Sequence, residues 1–330
     1  MRRVGVIDCG SNSFTLVVAE LAEQGWVRAF ANSMPVGLGA GGFQSQTIRP
    51  DRAARGLDAL RVFRETLRNY GVDAVYATGT SALRDARNAP SFVDAARAQC
   101  GIPIEVISGR QEAYAIWKGV LLTEPLAPGE RGLVMDIGGG SVEFAIWERA
   151  EDGPVLRWLE SVDAGVVRIK DLAKPTDPLT DAGAERLTPF LDDVLTPVDA
   201  AIAEWRPRVL VGSSGSFDAL AALLRSGEPF AAGEGVHARA EPIDATALRG
   251  VHRELLDAGL EDRLAWKGMP ASRAPYLPLS SVLVQRMLGR MGDEVRVARS
   301  PYALREGLVE LAVEADLAPS LEPVWPNLYA

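Results

Sequence analysis

Short apolar runs closed by small-residue turns recur along this chain. Residues 3–8, 13–20 and 26–33 read as three strands of a meander, with Glu23-Gln24-Gly25 as a turn. Pro50-Asp51 opens a helix whose apolar face is Leu57, Leu60, Phe63 and Leu67, and Gly71 stops it. A strand at 73–78, a short helix near 91–99 and the strand Ile104–Ile107 come next. Ser108 with Gln111 three residues on forms a capping box, which starts a helix running to about Leu122. Thr123–Arg131, rich in Pro and Gly, reads as an interdomain linker. The theme then returns: Gly132–Met135 and Phe144–Trp147 flank a glycine turn, and a further strand lies near 155–163. A long helical pattern is capped by Thr180 and shows Leu187, Leu191, Val194, Val198 and Ile202 on one face, with Pro189 and Pro197 kinking or dividing it. Arg208–Val211 is a buried strand leading to a helix at Phe217–Leu224, and 226–242 reads as a loop. Helices near 244–258, 275–291 and 301–315 flank a last strand at 295–298, and the Pro-rich tail 319–330 reads as irregular. A meander followed by helices, twice over, predicts a two-lobed α/β protein with a cleft between the lobes. Residues 1–125 form the first lobe and 126–330 the second, with the final helix 301–315 as the element that would pack back on the first.

The turns carry the candidate chemistry. Asp136-Ile137-Gly138-Gly139-Gly140-Ser141-Val142-Glu143 puts a carboxylate, three glycines and a hydroxyl at a hairpin tip. Asp8-Cys9-Gly10-Ser11-Asn12-Ser13 does the same at the equivalent place in the first half. Glycines let backbone N–H groups approach an anion, and successive N–H groups form an anion nest. Asp136 and Glu143 are positioned to hold the divalent cation that accompanies phosphates. Gly212-Ser213-Ser214-Gly215-Ser216 is a third small-residue turn, heading a helix where an anion or a nucleotide could sit. Thr78–Arg84 reads either as a phosphate clamp ending in Arg84 or as a capped helix start, with Ser81 as the cap and Arg84 solvated. Glu112 lies in the first turn of its helix, where the macrodipole favours the ionised carboxylate; taken alone that is ordinary. Arg61, Arg64 and Arg68 form a stripe that reads as a solvated face. Gly37–Gly42 (GLGAGG) matches G-x-G-x-x-G, but no helix opens behind it, so it reads as a mobile glycine loop and not a dinucleotide fingerprint.

Composition narrows the partners. The 330 residues are 47% hydrophobic and 24% charged, ordinary for a globular protein of two domains. The net charge of −9, with its acidic excess beyond residue 125, argues against general nucleic-acid binding, so a polyanion would have to be met by local arginines. Cys9 and Cys100 form no disulfide framework and fit a reducing cytoplasm. No apolar run reaches about 18 residues, and Asp8 and Asn12 interrupt the stretch after Arg2-Arg3, so neither a membrane span nor a signal peptide is expected. The expected localisation is cytoplasmic. There is no G-x-x-x-x-G-K-[ST] loop and no G-x-S-x-G elbow. Thr15 and Val106 stand where a cysteine phosphatase would place its arginine, and His237 and His252 have no metal-ligand spacing. What remains is metal-assisted phosphate chemistry with a carboxylate base, for which Glu112 is the best candidate.

Together these stretches resemble the exopolyphosphatase and guanosine-pentaphosphate phosphohydrolase (Ppx/GppA) family, in a short two-domain form. The resemblance rests on Asp8–Ser13, on Thr80–Arg84 with Asn88, and on Ile107-Ser108-Gly109 with Glu112-Ala113 and Gly119-Val120. It continues through Asp136–Glu143, Gly165–Arg168, Gly212–Ser216 and Ala303–Leu308, in family order. It implies two actin-like (ribonuclease H-like) ATPase-fold lobes, and inorganic polyphosphate or guanosine pentaphosphate as substrate. By the resemblance Glu112 is the catalytic residue that activates water, and Mg2+ is held by Asp136 and Glu143. Phosphates would be bound by Asp8, Gly10, Ser11, Asn12, Ser13, Arg84, Gly138, Gly139, Gly140, Ser141, Gly212, Ser213 and Ser214. The family position turns the reading of Glu112 from an ordinary first-turn acid to the base. A homodimer is a further implication, and neither nucleic acid nor membrane is expected as a partner.

Three departures bear on activity. Gln111 replaces a second acidic residue often found beside the catalytic one. Arg273-Ala274-Pro275 stands where many members have Arg-x-Asp, and the chain stops near 330 without the helical C-terminal domains of long members. The reading is therefore an exopolyphosphatase of short or moderate chains. The alternatives are a guanosine pentaphosphate 5′-phosphohydrolase, a catalytically weak polyphosphate sensor, and an actin-like ATPase or kinase, for which no acceptor-site signature is visible.

Overall fold

Three extended segments start the chain and pair in order, the first two largely buried and the third with alternate residues exposed. In a computed structural model, which describes residues 2–23, 25–225, 238–318, 320, 321 and 325, these are β1 (Arg3–Cys9), β2 (Ser13–Leu21) and β3 (Trp26–Pro35). The expected turn residue Gln24, the loop positions 226–237 with His237, and most of the tail 319–330 lie outside the described residues. Contacts divide the chain into two units, Met1–Leu122 with Ala238 and Tyr302–Ala330, and Thr123–Ala232 with Arg239–Pro301.

In the first unit β1 pairs antiparallel with β2, which pairs antiparallel with β3. On its other side β1 runs parallel to β4 (Ala74–Gly79), which is parallel to β5 (Ile104–Val106). Between β3 and β4 lies α1 (Pro50–Asn69), with proline at its first turn, where the missing N–H costs nothing. Its Ala59, Leu60, Phe63 and Leu67 are buried in one core with Ile7, Phe14 and Leu16, while Arg61, Arg64 and Arg68 stay on the exposed face as expected. Gly71 ends it with φ +58, a conformation that favours glycine. α2 (Ser81–Asp85), α3 (Ala89–Ala95) and a π-helical turn at Ala96–Cys100 lead to β5. α4 (Gly109–Leu121) begins in the expected capping box: Ser108 Oγ accepts the Gln111 N–H at 3.2 Å, and Gln111 Oε1 accepts the Ser108 N–H at 2.8 Å.

The second unit repeats this plan. β6 (Arg131–Ile137), β7 (Val142–Ala150) and β8 (Gly153–Val162) form an antiparallel meander. α5 (Val166–Ala173) follows, a helix that the sequence reading passed over because its apolar first turn merges with the strand before it. The long helical pattern is divided, as its two prolines allow, into α6 (Asp181–Arg186), α7 (Thr188–Val194) and α8 (Thr196–Trp205), with Thr180 Oγ1 capping the first at 3.3 Å. β9 (Val209–Ser213) runs parallel to β6 and leads into α9 (Ser214–Leu224). Residues 241 and 242, expected at the end of a loop, belong to the edge strand β10 (Glu241–Ile243), because backbone pairing with the last strand stabilises a segment too short to show a periodicity of its own. α10 (Ala245–Asp257), α11 (Leu260–Ala265) and α12 (Leu277–Met291) precede β11 (Arg296–Arg299), which is parallel to β9. The sheet orders are β3-β2-β1-β4-β5 and β10-β11-β9-β6-β7-β8. Read from the meander inward, the second is the first with one added edge strand. Each unit is thus an actin-like, ribonuclease H-like lobe.

The last helix, α13 (Leu304–Glu314), belongs to the first unit and crosses α4 at backbone contact. A Cβ on Gly119 would run into the carbonyl of Ala303, and one on Gly307 into the carbonyl of Ala115. Only glycine at both positions lets the helices approach so closely. α13 is further fixed by the fully buried Glu306, which accepts from Arg28 at 2.9 Å and from the Ala303 N–H at 3.0 Å. Gly307→Ala is expected to destabilise the protein by about 3 kcal/mol, since the added methyl meets backbone that cannot turn aside. Glu314→Ala, which removes only an exposed ion pair with Lys118, should cost under about 1 kcal/mol. Thermal melting of the two variants checks both values.

Candidate functional site

Each unit presents a hairpin turn at the end of its first strand, and the two turns are built alike. In the first, the Gly10 N–H donates to Ser13 O at 3.2 Å, and in the second the Gly138 N–H donates to Ser141 O at 3.1 Å. The carbonyls within the first turn are taken up by the segment after β3. Ser11 O accepts the Gly39 N–H at 2.9 Å, and Asn12 O accepts those of Val36 at 3.1 Å and Gly37 at 2.7 Å. The glycine loop 37–42, expected to be mobile, is thus bonded onto the turn, with positive φ at Gly37 (+66) and Gly41 (+71) shaping it. Ser11 Oγ accepts the Ala82 N–H at 3.1 Å, which ties the turn to α2 as well.

In the second turn every interior carbonyl points to the start of α5. Gly138 O accepts the Val166 N–H at 3.1 Å, and Gly139 O accepts those of Val167 at 2.8 Å and Arg168 at 3.1 Å. Gly140 O accepts the Gly165 N–H at 3.3 Å and Arg168 Nε at 2.6 Å. A peptide unit is planar and trans, so the N–H that follows each carbonyl points the other way. The N–H groups of Gly139, Gly140 and Ser141 are therefore turned together to the side away from α5, as an anion nest requires.

The carboxylates sit beside these turns. Asp8 is the cross-strand partner of Thr15, which in turn pairs with Ser33. Asp136 is the partner of Glu143, which pairs with Ser161. The same three-residue row thus crosses both meanders, with one carboxylate in the first unit and two in the second. Glu143 is buried and accepts from Ser161 Oγ at 2.8 Å. Asp136 Oδ2 accepts from Ser213 Oγ at 2.8 Å and Ser214 Oγ at 2.6 Å. Burial pushes the Asp136 carboxyl above its usual range, and the two serine hydroxyls and the charge of Arg273 pull it back.

The stretch Gly212–Ser216, expected as a turn before a helix at Phe217, is instead the end of β9 and the first turn of α9, because Ser214 already enters the helix. Ser214 holds φ +66, a left-handed conformation that costs a non-glycine residue about 1 kcal/mol, and its hydroxyl is thereby aimed at Asp136. Arg273 lies over this turn, since a Cβ on Gly215 would strike its guanidinium.

In the first unit Arg84 is paired and not a solvated residue of a helix start. Its Nη1 lies 3.0 Å from Glu112 Oε2 and donates to Ile107 O at 3.0 Å, and Glu112 is only 7% exposed. Ser81 is not the cap but the first residue of α2, and Thr80 holds the cap position without a side-chain bond. Arg84 and Glu112 are therefore brought together, as are Asp136, Ser213 and Ser214. Sequence reasoning missed Ser161, whose place beside Glu143 follows only from strand register, and left Arg273 and Arg168 without a role. Cys9 is fully buried, which pushes its thiol well above the usual range and agrees with its exclusion as a nucleophile. His252, also excluded, bonds Ser281 Oγ through Nδ1 at 2.8 Å.

Comparison with known proteins fits this geometry. A guanosine-5′-triphosphate,3′-diphosphate pyrophosphatase of Vibrio cholerae is 31% identical over 304 residues, covering 92% of this chain and 58% of that protein. The chain thus spans well under two thirds of the length of the curated relatives it matches. The crystal structure of an exopolyphosphatase from Cytophaga hutchinsonii superposes with a TM-score of 0.88 at 31% identity, covering 97% of this chain and all of that one. A Ppx/GppA family member from Aquifex aeolicus shares the fold with a TM-score of 0.76 at 23% identity, over 96% and 99% of the two chains. The model of the Ppx/GppA phosphatase family matches residues 17–314, and with two lobes of this build the chain belongs to that family.

Proposed function

We propose that this protein is an exopolyphosphatase that hydrolyses the terminal phosphate of inorganic polyphosphate. The observation that carries the reading is the nest of three outward N–H groups at Gly139, Gly140 and Ser141, beside the buried carboxylates Asp136 and Glu143. Such a nest binds a phosphate oxygen without a Cβ in the way. The full-length match to the Cytophaga hutchinsonii exopolyphosphatase supports polyphosphate as the substrate. The similarity to the Vibrio cholerae pyrophosphatase supports a second reading, removal of the 5′ γ-phosphate of guanosine pentaphosphate.

Among the described residues no group of three or more His, Cys, Asp or Glu side chains forms a ready metal cage. Magnesium does not need one: it takes one or two protein carboxylates and completes its shell with water and phosphate oxygens. Asp136 and Glu143, hard oxygen donors on facing positions of adjacent strands, fit that requirement. When bound there, magnesium would neutralise charge on the phosphate oxygens. Glu112 acts as the base that takes the proton of the attacking water, with Arg84 fixing its carboxylate by the 3.0 Å ion pair. The nest and the first turn, Asp8–Ser13, orient phosphates and stabilise the charge developing in the in-line transfer. The hydroxyls of Ser213 and Ser214 partly offset the effect of burial on Asp136.

Orthophosphate release from tripolyphosphate, longer polyphosphate and guanosine pentaphosphate, with magnesium and with chelator, tests the reading and separates its two substrates. Glu112→Gln should lower turnover by on the order of 10²-fold or more while tripolyphosphate binding persists. Unchanged turnover would remove Glu112 from the reaction, and binding without any release by the wild type would leave a sensor. Ser214→Ala removes one hydroxyl that lowers the proton affinity of Asp136, so that carboxylate should protonate at higher pH than in the wild type. The acid limb of the kcat/KM profile should accordingly move upward.

A further inference from the structure

Gly165-Val166-Val167-Arg168 was singled out in the sequence, and the reaction proposed above gives it no part. Its geometry supplies one. The four backbone N–H groups of Gly165, Val166, Val167 and Arg168 all donate to carbonyls of the glycine turn, and a Cβ on Gly165 would strike the backbone of Gly140. These backbone bonds are made by any residue that starts the helix, and they are uneven. Gly138 O and Gly139 O are held at 2.8 to 3.1 Å, but the Gly165 N–H reaches Gly140 O only at 3.3 Å. The Gly140 peptide is the one whose orientation decides where the Ser141 N–H points. Its short bond comes from a side chain: Arg168 Nε donates at 2.6 Å, while Nη2 lies 3.0 Å from Asp163 Oδ1. A charge-assisted bond of this length is about twice as strong as a neutral one.

We propose that Arg168 is the positioning residue of the second phosphate turn: its guanidinium, braced by Asp163, holds the Gly140 carbonyl back so that the Ser141 N–H faces the bound phosphate. This rests on the phosphate-binding reading of that turn. The Arg168 side chain is only 11% exposed, so its cation lies under the turn and adds positive potential to the nest. It acts through the Gly140 peptide, and the turn in place of the guanidinium meets the substrate. Asp163, at 68% exposure, holds the far arm of the guanidinium from the solvent side. Lysine cannot replace this arrangement, because one ammonium cannot serve both Gly140 O and Asp163 in the fixed fork that arginine provides.

The test uses the full chain and inorganic tripolyphosphate as probe, with magnesium-dependent orthophosphate release for KM and kcat and calorimetric titration for Kd. Loss of one charge-assisted bond that serves binding should raise KM and Kd about tenfold in Arg168→Lys, with kcat within about threefold of wild type. Arg168→Met should lose more, and added guanidinium ion should restore part of its affinity. Asp163→Asn, an exposed change that leaves the turn untouched, should raise KM about threefold and carries the test if Arg168→Met does not fold. A folded Arg168→Lys protein with KM and Kd within twofold of wild type overturns the proposal. So does a lowered melting temperature with both constants unchanged, which would make Arg168 structural only. A wild type that neither binds nor cleaves tripolyphosphate would instead remove the phosphate reading on which the proposal stands.

Discussion

A peptide unit cannot turn its carbonyl and its N–H to the same side, and both hairpin turns are organised by that constraint. To aim successive N–H groups outward, the protein must give the carbonyls of the same peptides somewhere else to go. In the first unit they go to the N–H groups of Val36, Gly37 and Gly39, and in the second to the start of α5. Each turn is thus a two-layer device: an outer layer of N–H groups, and an inner segment whose job is to consume carbonyls. Gly165 makes that close packing possible, since a Cβ there would strike the backbone of Gly140. The cost of an unsatisfied buried carbonyl explains why the inner segment is always present.

The meander strands were legible because apolar runs and glycine punctuation repeat in the two halves, while β10, too short to show a period, was not. The capping box at Ser108 and Gln111 was legible because its partners are three residues apart. What was not legible is contact between residues distant in sequence. Arg168 and Gly140 are 28 positions apart, and nothing in Val166–Ala173 tells a helix start from the end of a strand. The fate of Gly37–Gly42 was misread because a glycine-rich segment looks loose unless its hydrogen-bond partners are known. Arg84 was read through the family resemblance as a phosphate ligand, and its ion pair with Glu112, 28 positions away, was not legible.

Glu112 depends on a frame farther along the chain. It stands at the start of α4, and α4 is gripped by α13 through Gly119 and Gly307 at backbone contact. α13 in turn carries Glu306, whose buried charge is compensated by Arg28 on β3. Removing one member of such a pair leaves the other charge buried and unpaired, which is far more costly than never having had the pair. The sheet, the last helix and the helix bearing the candidate base are therefore one mechanical unit.

The row that crosses each meander has the same backbone and a different charge. Asp8–Thr15–Ser33 carries one carboxylate, and Asp136–Glu143–Ser161 carries two on directly facing positions. Like charges so placed across neighbouring strands repel. Asp136 and Glu143 are both buried, so the second row carries the cost of desolvating two carboxylates, which the hydroxyls of Ser213, Ser214 and Ser161 partly offset. One repeated backbone frame is thus more costly to fold in the second lobe than in the first, where Asp8 is only half-buried.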